Sequence, residues 1–268
     1  MPADIGDSTT WSQAYLYYGN TAAPPAASAV GTSVYLWWDD ASIDHSADYV
    51  HGRMDPWLAT GWDDSLAWNA DGSYHYNTGD DSQSSYRRAV DERDVLVEAE
   101  WFHTGCYPNN MQTAVCARGI ISGGVLGAEN ADAYYCTTRA QNPLCNDIDQ
   151  GIYDGDIVKT DNETIALHGS VDPPPIVTSQ WRKQALATFG ASPTQLRFWD
   201  ADASWPALAT PPADKLLANG MDLSDYTNRG FAGIMVAQDI AQVRNIVIRR
   251  YVEPEPAVTV GSEETLSH

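Results

Sequence analysis

The sequence predicts an all-β protein, an antiparallel β-sandwich of the jelly-roll kind. Turn-forming residues recur throughout its 268 residues, with 20 Gly and 15 Pro. Between them lie short apolar and aromatic runs, supplied in part by 14 Tyr and 10 Trp. No amphipathic helical pattern continues for long, and short strands with regular turns are typical of sandwiches and jelly rolls. The chain is long enough to bury one substantial β core.

The first predicted element is an aromatic strand over residues 11–18, which includes Trp11, Tyr15 and Tyr17. An Ala/Pro linker follows, and its residues Pro24 and Pro25 cannot occupy the centre of a strand ladder. A strand needs a partner for its backbone groups. We therefore expect residues 11–18 to pair with the chain's own sheet or with a neighbouring subunit.

The clearest later strand covers residues 95–102, where Glu98 and Glu100 share one face and Val95, Val97, Ala99 and Trp101 share the other. A strand is also expected from Val34 onward, and one short helix within 213–226. Turns are predicted at 69–72, 78–81, 172–175 and 219–220. The remaining predicted strands are 114–125, 132–137, 157–167, 181–189, 195–199, 230–236 and 243–252.

Both ends of the chain resemble one family. The residues concerned are Ala14–Asn20 (AYLYYGN), Val34–Asp40 (VYLWWDD) and Val243–Gly261 (VRNIVIRRYVEPEPAVTVG). They are similar to the concanavalin A-like, laminin G-like jelly rolls of archaeal and bacterial surface proteins, and to the last strand of a domain that precedes them. The resemblance implies a jelly roll at 32–252, a remnant strand and linker at 1–31, and an acidic tail at 253–268. It also implies a secreted, non-catalytic recognition or adhesion module.

The charge composition favours a protein kept soluble in high salt. The net charge is -21, with 27 Asp and 9 Glu against 12 Arg and 3 Lys. At about 1 M salt the Debye length is roughly 3 Å, which screens this self-repulsion. A halophilic source is the expectation, with an ordinary acidic secreted protein as the alternative. Nucleic acid is excluded as a partner, because phosphate binding needs a basic face.

Membrane insertion is not expected, since no run of 18 apolar residues exists. No signal peptide is visible at the N-terminus. An external protein would therefore be a mature fragment or part of a particle assembled inside a cell.

Four cysteines lie within 40 residues. Two local disulfides, Cys106–Cys116 and Cys136–Cys145, are predicted among three possible connectivities. Free or zinc-bound thiols are the alternative, although the spacings fit no zinc knuckle. Asn162 begins a glycosylation sequon, which fits an external loop. These features predict an extracellular, cell-surface or virion location.

Glu98 and Glu100 are the nearest match to the Glu-x-Asp-x-x-Glu strand of jelly-roll endoglucanases. The central Asp and the third acid are missing here. A retaining glycosidase needs two carboxylates facing the sugar. We expect instead that the pair marks a solvent-exposed sheet face.

A glycan-binding site is predicted at Trp57, Trp62, Asp63, Asp64 and Trp68. Sugars stack on aromatic rings while carboxylates bind their hydroxyls, so this mixture suits a saccharide. The alternative is that most of these rings belong to the core or pack in loops.

A structural calcium ion is the one cofactor expected, because jelly rolls of the resembled type often bind it. The ligands implied are Asp39 and Asp40, next to Asn245 on the closing strand. Hard oxygen ligands suit calcium. Family members commonly have Asp where Asn245 stands, and a second, weaker option is the loop 147–156.

The sequence thus predicts a non-catalytic module that binds a glycan or a cell-surface protein. One alternative is a structural or receptor-binding subunit of a virus particle or surface filament, assembled through the N-terminal strand. The other is a divergent glycoside hydrolase.

Overall fold

The structure is a computed structural model. It describes residues 35–54, 61–62, 67–77, 82–90, 92–106, 111–121, 130–140, 156–159, 164–166, 180–191, 193–201, 205, 211–222, 230–237 and 239–253. Several predictions fall outside these residues: the strand 11–18 with its linker, Trp57, Asp63, Asp64, Cys145, Asn162 and the tail beyond residue 253. The predicted domain boundaries remain predictions.

The described residues form sixteen strands, and all of the long ones lie between residues 82 and 250. The strands are β1 Tyr35–Asp39, β2 Val50–Met54, β3 Gly61–Trp62, β4 Ala67–Asn69, β5 Ser73–Asn77, β6 Ser82–Val90, β7 Val95–Cys106, β8 Met111–Ile121, β9 Asn130–Ala140, β10 Asp156–Lys159, β11 Thr164–Ala166, β12 Trp181–Phe189, β13 Thr194–Ala201, β14 Leu216–Asp222, β15 Gly230–Ala237 and β16 Asp239–Arg250. Short 3-10 turns lie at Ser46–Asp48 and Ala213–Lys215. No helix in this part of the chain has the length and apolar character needed to cross a bilayer.

The strands form two sheets, which confirms the predicted antiparallel β-sandwich. The first sheet has the order β14-β13-β12-β7-β16-β5-β4, and β1 also pairs with β16. The second contains the antiparallel run β6-β15-β8-β9-β10-β11. Its β2 pairs with β6 and, in parallel, with β9, and β3 pairs in parallel with β6.

The core lies between the sheets because each strand directs alternate side chains inward. On β7 the buried inner residues are Val95, Val97, Ala99 and Trp101. A separate cluster, which includes Leu96, Trp199 and Trp205, covers part of the outer face of the first sheet. This outer face therefore has a buried portion as well as an accessible one.

The buried side chain of Arg118 connects the two sheets at one end through hydrogen bonds. Arg118 lies on β8 with a left-handed backbone, φ 53°. Its guanidinium donates to the Arg93 carbonyl at 3.0 Å, the Gly190 carbonyl at 2.7 Å and Thr194 Oγ1 at 2.7 Å. Charge-assisted hydrogen bonds of this kind hold the turn between β12 and β13 against the start of β7.

The two ends of the predicted jelly roll meet, as the resemblance implies. β1 pairs antiparallel with β16, so that Trp38 lies opposite Val247 and Asp39 opposite Ile246. The predicted strands at 181–189, 195–199, 230–236 and 243–252 are confirmed as β12, β13, β15 and β16.

The turn predicted at 219–220 is wrong, and the short helix predicted within 213–226 corresponds to the 3-10 helix Ala213–Lys215. Residues 216–222 form strand β14, and Asn219 and Gly220 pair with Arg197 and Leu196 of β13. These two residues are paired with the neighbouring strand, and tertiary pairing of this kind overrides local propensity. The single strand predicted at 157–167 is also wrong, because β10 and β11 form an antiparallel pair there.

The two predicted disulfides are not formed. Cys136 has a free thiol in the core, and its Sγ donates to the Val115 carbonyl at 3.8 Å. Burial raises the pKa of this thiol well above its ordinary value. Cys116 is a buried thiol that faces the outer side of the second sheet with Phe231 and Met235, whereas Cys106 ends β7 of the first sheet. Alternation along the strands thus points Cys116 away from the first sheet.

Candidate functional site

Glu98 and Glu100 lie on the outer face of the first sheet, as their alternation on β7 predicts. The expectation of a solvent-exposed face is wrong. Glu98 is 0% exposed and Glu100 is 5% exposed. Carboxylates are rarely buried to this degree without partners. The side chains that contact Glu98 and Glu100 therefore determine whether either carboxylate can reach a ligand.

Glu98 and Lys183 form a closed ion pair, named here the sealed pair, which is covered by Trp205. Lys183 Nζ lies 2.9 Å from Glu98 Oε2, and Lys183 is 1% exposed. Trp205 Nε1 donates to Glu98 Oε1 at 3.2 Å, while its carbonyl accepts from Lys183 Nζ at 3.2 Å. The indole ring lies 4.8 Å from the ammonium. Burial raises the pKa of Glu98, although Lys183 opposes the shift.

Glu100 belongs to a more accessible cluster, named here the open patch: Glu100, Arg244, Asn245, Trp181 and Phe102. Glu100 Oε2 accepts from Arg244 Nε at 3.0 Å and from Asn245 Nδ2 at 2.9 Å. Arg244 is 37% exposed at its side chain. The carboxylate is thus fixed in place by two donors at the edge of solvent.

A β-bulge brings two consecutive residues of β16 onto the same carboxylate. The register between β16 and β7 shifts between Arg244 and Val247, and Asn245 has a left-handed backbone with φ 51°. Asn adopts this conformation more readily than most residues. Bulges re-aim side chains in this way and are frequent beside binding sites.

Two half-buried rings complete the open patch. The Arg244 guanidinium carbon lies 3.9 Å from the centroid of the Trp181 ring. The rings of Trp181 and Phe102, which are opposite each other on β12 and β7, are 5.2 Å apart and tilted by 47°. On the strand that flanks β7 on its other edge, β16, Gln242 lies opposite Phe102. The aromatic surface thus lies next to the Glu100 carboxylate, the Arg244 guanidinium and the Asn245 amide.

The structure does not bring the predicted calcium ligands together. Asp39 is buried, and its Oδ2 accepts from Tyr49 at 2.7 Å and Tyr74 at 2.8 Å on the core side. Asp40 Oδ1 accepts from the Ser42 backbone, and Asn245 binds Glu100 on the opposite face. Among the described side chains, no group of three or more His, Cys, Asp or Glu residues could hold a metal ion. Calcium binding remains a prediction.

The predicted glycan residues are only partly described. Trp68 is half-buried against the core, and its Nε1 donates to the Ala41 carbonyl at 2.8 Å, which is a structural role. Trp62 lies in strand β3, and the others lie outside the described residues.

Sequence reasoning placed Glu98 and Glu100 on one face but missed their surroundings. Phe102 could have been found, because it continues the same alternation on β7. Trp181 and Arg244 come from two other strands, and only the register brings them to Glu100.

Known structures share this fold at low sequence identity. The chain is similar to a protein of unknown function with a galectin-like fold from Bacillus subtilis, with a TM-score of 0.52 and 9% identity over 81% of this chain and 96% of that one. Weaker similarities link it to the carbohydrate-binding module CBM66 from Bacillus subtilis (TM-score 0.46, 13% identity, 69% and 90% covered) and to the carbohydrate recognition domain of Emp46p (0.43, 8%, 80% and 98%). No family model matches the sequence, and no curated protein matches it.

Proposed function

We propose that the protein is a non-catalytic carbohydrate-binding module whose ligand lies on the open patch. The observation that carries this proposal is the meeting of two half-buried rings with Glu100, Arg244 and Asn245 at one accessible place. Saccharides need both components, because their C–H faces stack on rings while charged and amide groups bind their hydroxyls.

Several properties of the open patch support binding rather than mere packing. Glu100 and Arg244 hold each other in fixed positions. A site that is ordered before the ligand arrives loses less entropy when it binds. The sandwich supplies strands β12, β7 and β16 as a rigid support, which holds side chains more precisely than loops do.

Catalysis of glycoside hydrolysis is not favoured by the arrangement of the acids. A retaining mechanism needs both carboxylates to reach the sugar. Glu98 is ion-paired with Lys183 and covered by Trp205, so it does not reach a ligand on this face. The divergent glycosidase remains a weaker alternative, tested by release of reducing ends from the same polysaccharides.

The proposed extracellular location and the proposed role in a virus particle or filament are supported by fewer observations than glycan binding. The extracellular location loses the support of the disulfides and rests on the resemblance and the sequon. The alternative of a virus or filament subunit, and self-assembly through residues 11–18, depend on a segment outside the described residues.

The test is affinity gel electrophoresis of the full chain through a panel of neutral and acidic polysaccharides. We expect retardation by at least one polysaccharide, and its loss in Trp181→Ala. Ile43→Ala serves as the control, because Ile43 is an exposed apolar residue outside the open patch. Equal retardation of wild type and Trp181→Ala, or no retardation by any polysaccharide, would contradict the proposal.

A further inference from the structure

We infer that the open patch recognises a saccharide that carries a carboxylate, a uronic acid, through the guanidinium fork of Arg244. This inference rests on the proposed function and adds the chemical class of its ligand. Three observations carry it: the local charge, the available donors of Arg244, and the position of the rings.

The outer face of strands β13, β12, β7 and β16 carries more basic than acidic side chains, although the protein is strongly acidic. The chain has 36 acidic and 15 basic residues. The described side chains on the outer face of β13, β12, β7 and β16 reverse this ratio. Only two are acidic, Glu98 and Glu100, and four are basic: Arg197, Lys183, Arg244 and Arg249. The excess remains when Glu253, which pairs with Arg197 at 2.6 Å, is included.

Arg244 presents unused donors at this basic face. Its Nε donates to Glu100, and its guanidinium carbon lies 3.9 Å from the centroid of the Trp181 ring. Within the described residues, its two terminal nitrogens donate to no protein group. Stacking and the Glu100 contact hold the guanidinium plane, so the terminal fork is oriented before any ligand arrives. A planar carboxylate matches such a fork with two parallel hydrogen bonds.

The neighbouring groups fit the rest of a uronate ring. Trp181 and Phe102 offer apolar surface beside the fork. Glu100 Oε2 is occupied by Arg244 and Asn245, whereas no described residue donates to Oε1, which leaves an acceptor for a sugar hydroxyl. A carboxylate on a sugar ring would thus reach Arg244 while the ring lies against the aromatic residues.

The experiment compares matched acidic and neutral ligands. Isothermal titration is run in 1 M KCl, where a Debye length of roughly 3 Å screens the overall repulsion between the protein and an anion. The ligands are hexamers of galacturonate and mannuronate, and the methyl ester of the galacturonate hexamer as the neutral match. We expect at least one acid to bind about tenfold more tightly than the ester, as a charge-assisted bidentate contact predicts.

Three variants assign the preference to Arg244. Arg244→Gln should bind acid and ester equally, and Arg244→Lys should lose most of the preference because it retains the charge without the fork. Arg250→Gln is the matched control. It removes the same charge from the same strand, but Arg250 pairs with Glu92 away from the open patch. Circular dichroism and thermal midpoints verify that each variant is folded.

The outcomes separate this inference from the proposed function. If the ester or other neutral hexamers bind as tightly as the acids, the uronate inference is overturned and glycan binding stands. If neither the acidic nor the neutral hexamers bind, the uronate inference is overturned, and the polysaccharide retardation test decides separately whether glycan binding stands. If Arg250→Gln weakens binding as much as Arg244→Gln, overall charge determines the affinity. Tighter binding of a sulfated neutral hexamer would assign the anion to sulfate. Each of these last two results, equal weakening by Arg250→Gln or tighter binding of the sulfated hexamer, overturns the uronate inference.

Discussion

Glu98 and Glu100 lie two residues apart on the same strand and face the same side, yet they occupy different environments. Glu98 is enclosed with Lys183 beneath Trp205, whereas Glu100 is held by Arg244 and Asn245 at the edge of solvent. The strand sets the direction of both side chains. Other parts of the chain determine that one acid is enclosed with its cation and that the other lies beside a partly exposed arginine.

Under the proposed function, this difference divides a single sheet face between stability and recognition. A buried ion pair costs desolvation and is tolerated when its hydrogen bonds are made, as Trp205 makes them here. A partly exposed ion pair adds little stability but can keep donors in place for a ligand. Substitutions at the two acids' partners, and changes of pH and salt, test this division.

Lys183→Met should break the sealed pair. It leaves Glu98 buried without its cation, which costs about 3–5 kcal/mol of unfolding free energy in comparable cases. The double variant Glu98→Leu/Lys183→Met should cost less, because no buried charge remains. Urea unfolding measures both. Lys215→Met is the control, since Lys215 lies 4.0 Å from Asp214 in an exposed pair. A cost below about 1 kcal/mol for Lys183→Met would contradict the structural role of the sealed pair.

Asn245→Ala should disturb the open patch through its backbone. Asn245 has φ 51°, and a left-handed conformation costs most L-residues roughly 1–2 kcal/mol. Asn245→Gly removes the same hydrogen bond to Glu100 without the steric cost, so it should be less destabilising. Equal unfolding free energies for the two variants would show that the bulge is not strained.

The pH dependence of stability should identify Glu98. Burial raises the pKa of Glu98 in the folded protein. The stability that Glu98 contributes is then fully present below its unfolded pKa, about 4.3, and is lost as the pH rises through the folded pKa. Wild type should therefore lose stability relative to Glu98→Gln as the pH rises above about 4.3, as measured by urea unfolding. If the unfolding free energy of wild type relative to Glu98→Gln stays constant or increases as the pH rises, the pKa of Glu98 is not raised in the folded protein.

Salt should raise the thermal midpoint of the wild type but leave the sealed pair unaffected. The net charge of -21 is screened in molar KCl, which relieves repulsion across the surface. Buried pairs are screened much less, so the cost of Lys183→Met should be the same at low and high salt. A flat or falling midpoint would contradict the halophilic interpretation. A salt-dependent cost would show that water reaches Glu98.

Part of the candidate site could be predicted from the sequence. Period-two alternation places Glu98, Glu100 and Phe102 on one face of β7 and Trp101 on the other, and the structure agrees. Alternation does not specify what lies above a face, so the expected exposure of Glu98 was wrong. The cysteine prediction failed for a related reason, since an even count of cysteines does not specify which sheet face each one occupies.

The sequence by itself determined the β class and the main strands, because these follow from local periodicity and turn residues. The meeting of the opening and closing strands was implied by the family resemblance of the two terminal segments. Only the tertiary structure decided that Trp205 covers Glu98, that a bulge directs Arg244 and Asn245 to Glu100, and that Trp181 lies beside them. Strand register and loop placement are set by the packing of segments far apart in the chain. A local pattern carries little information about them.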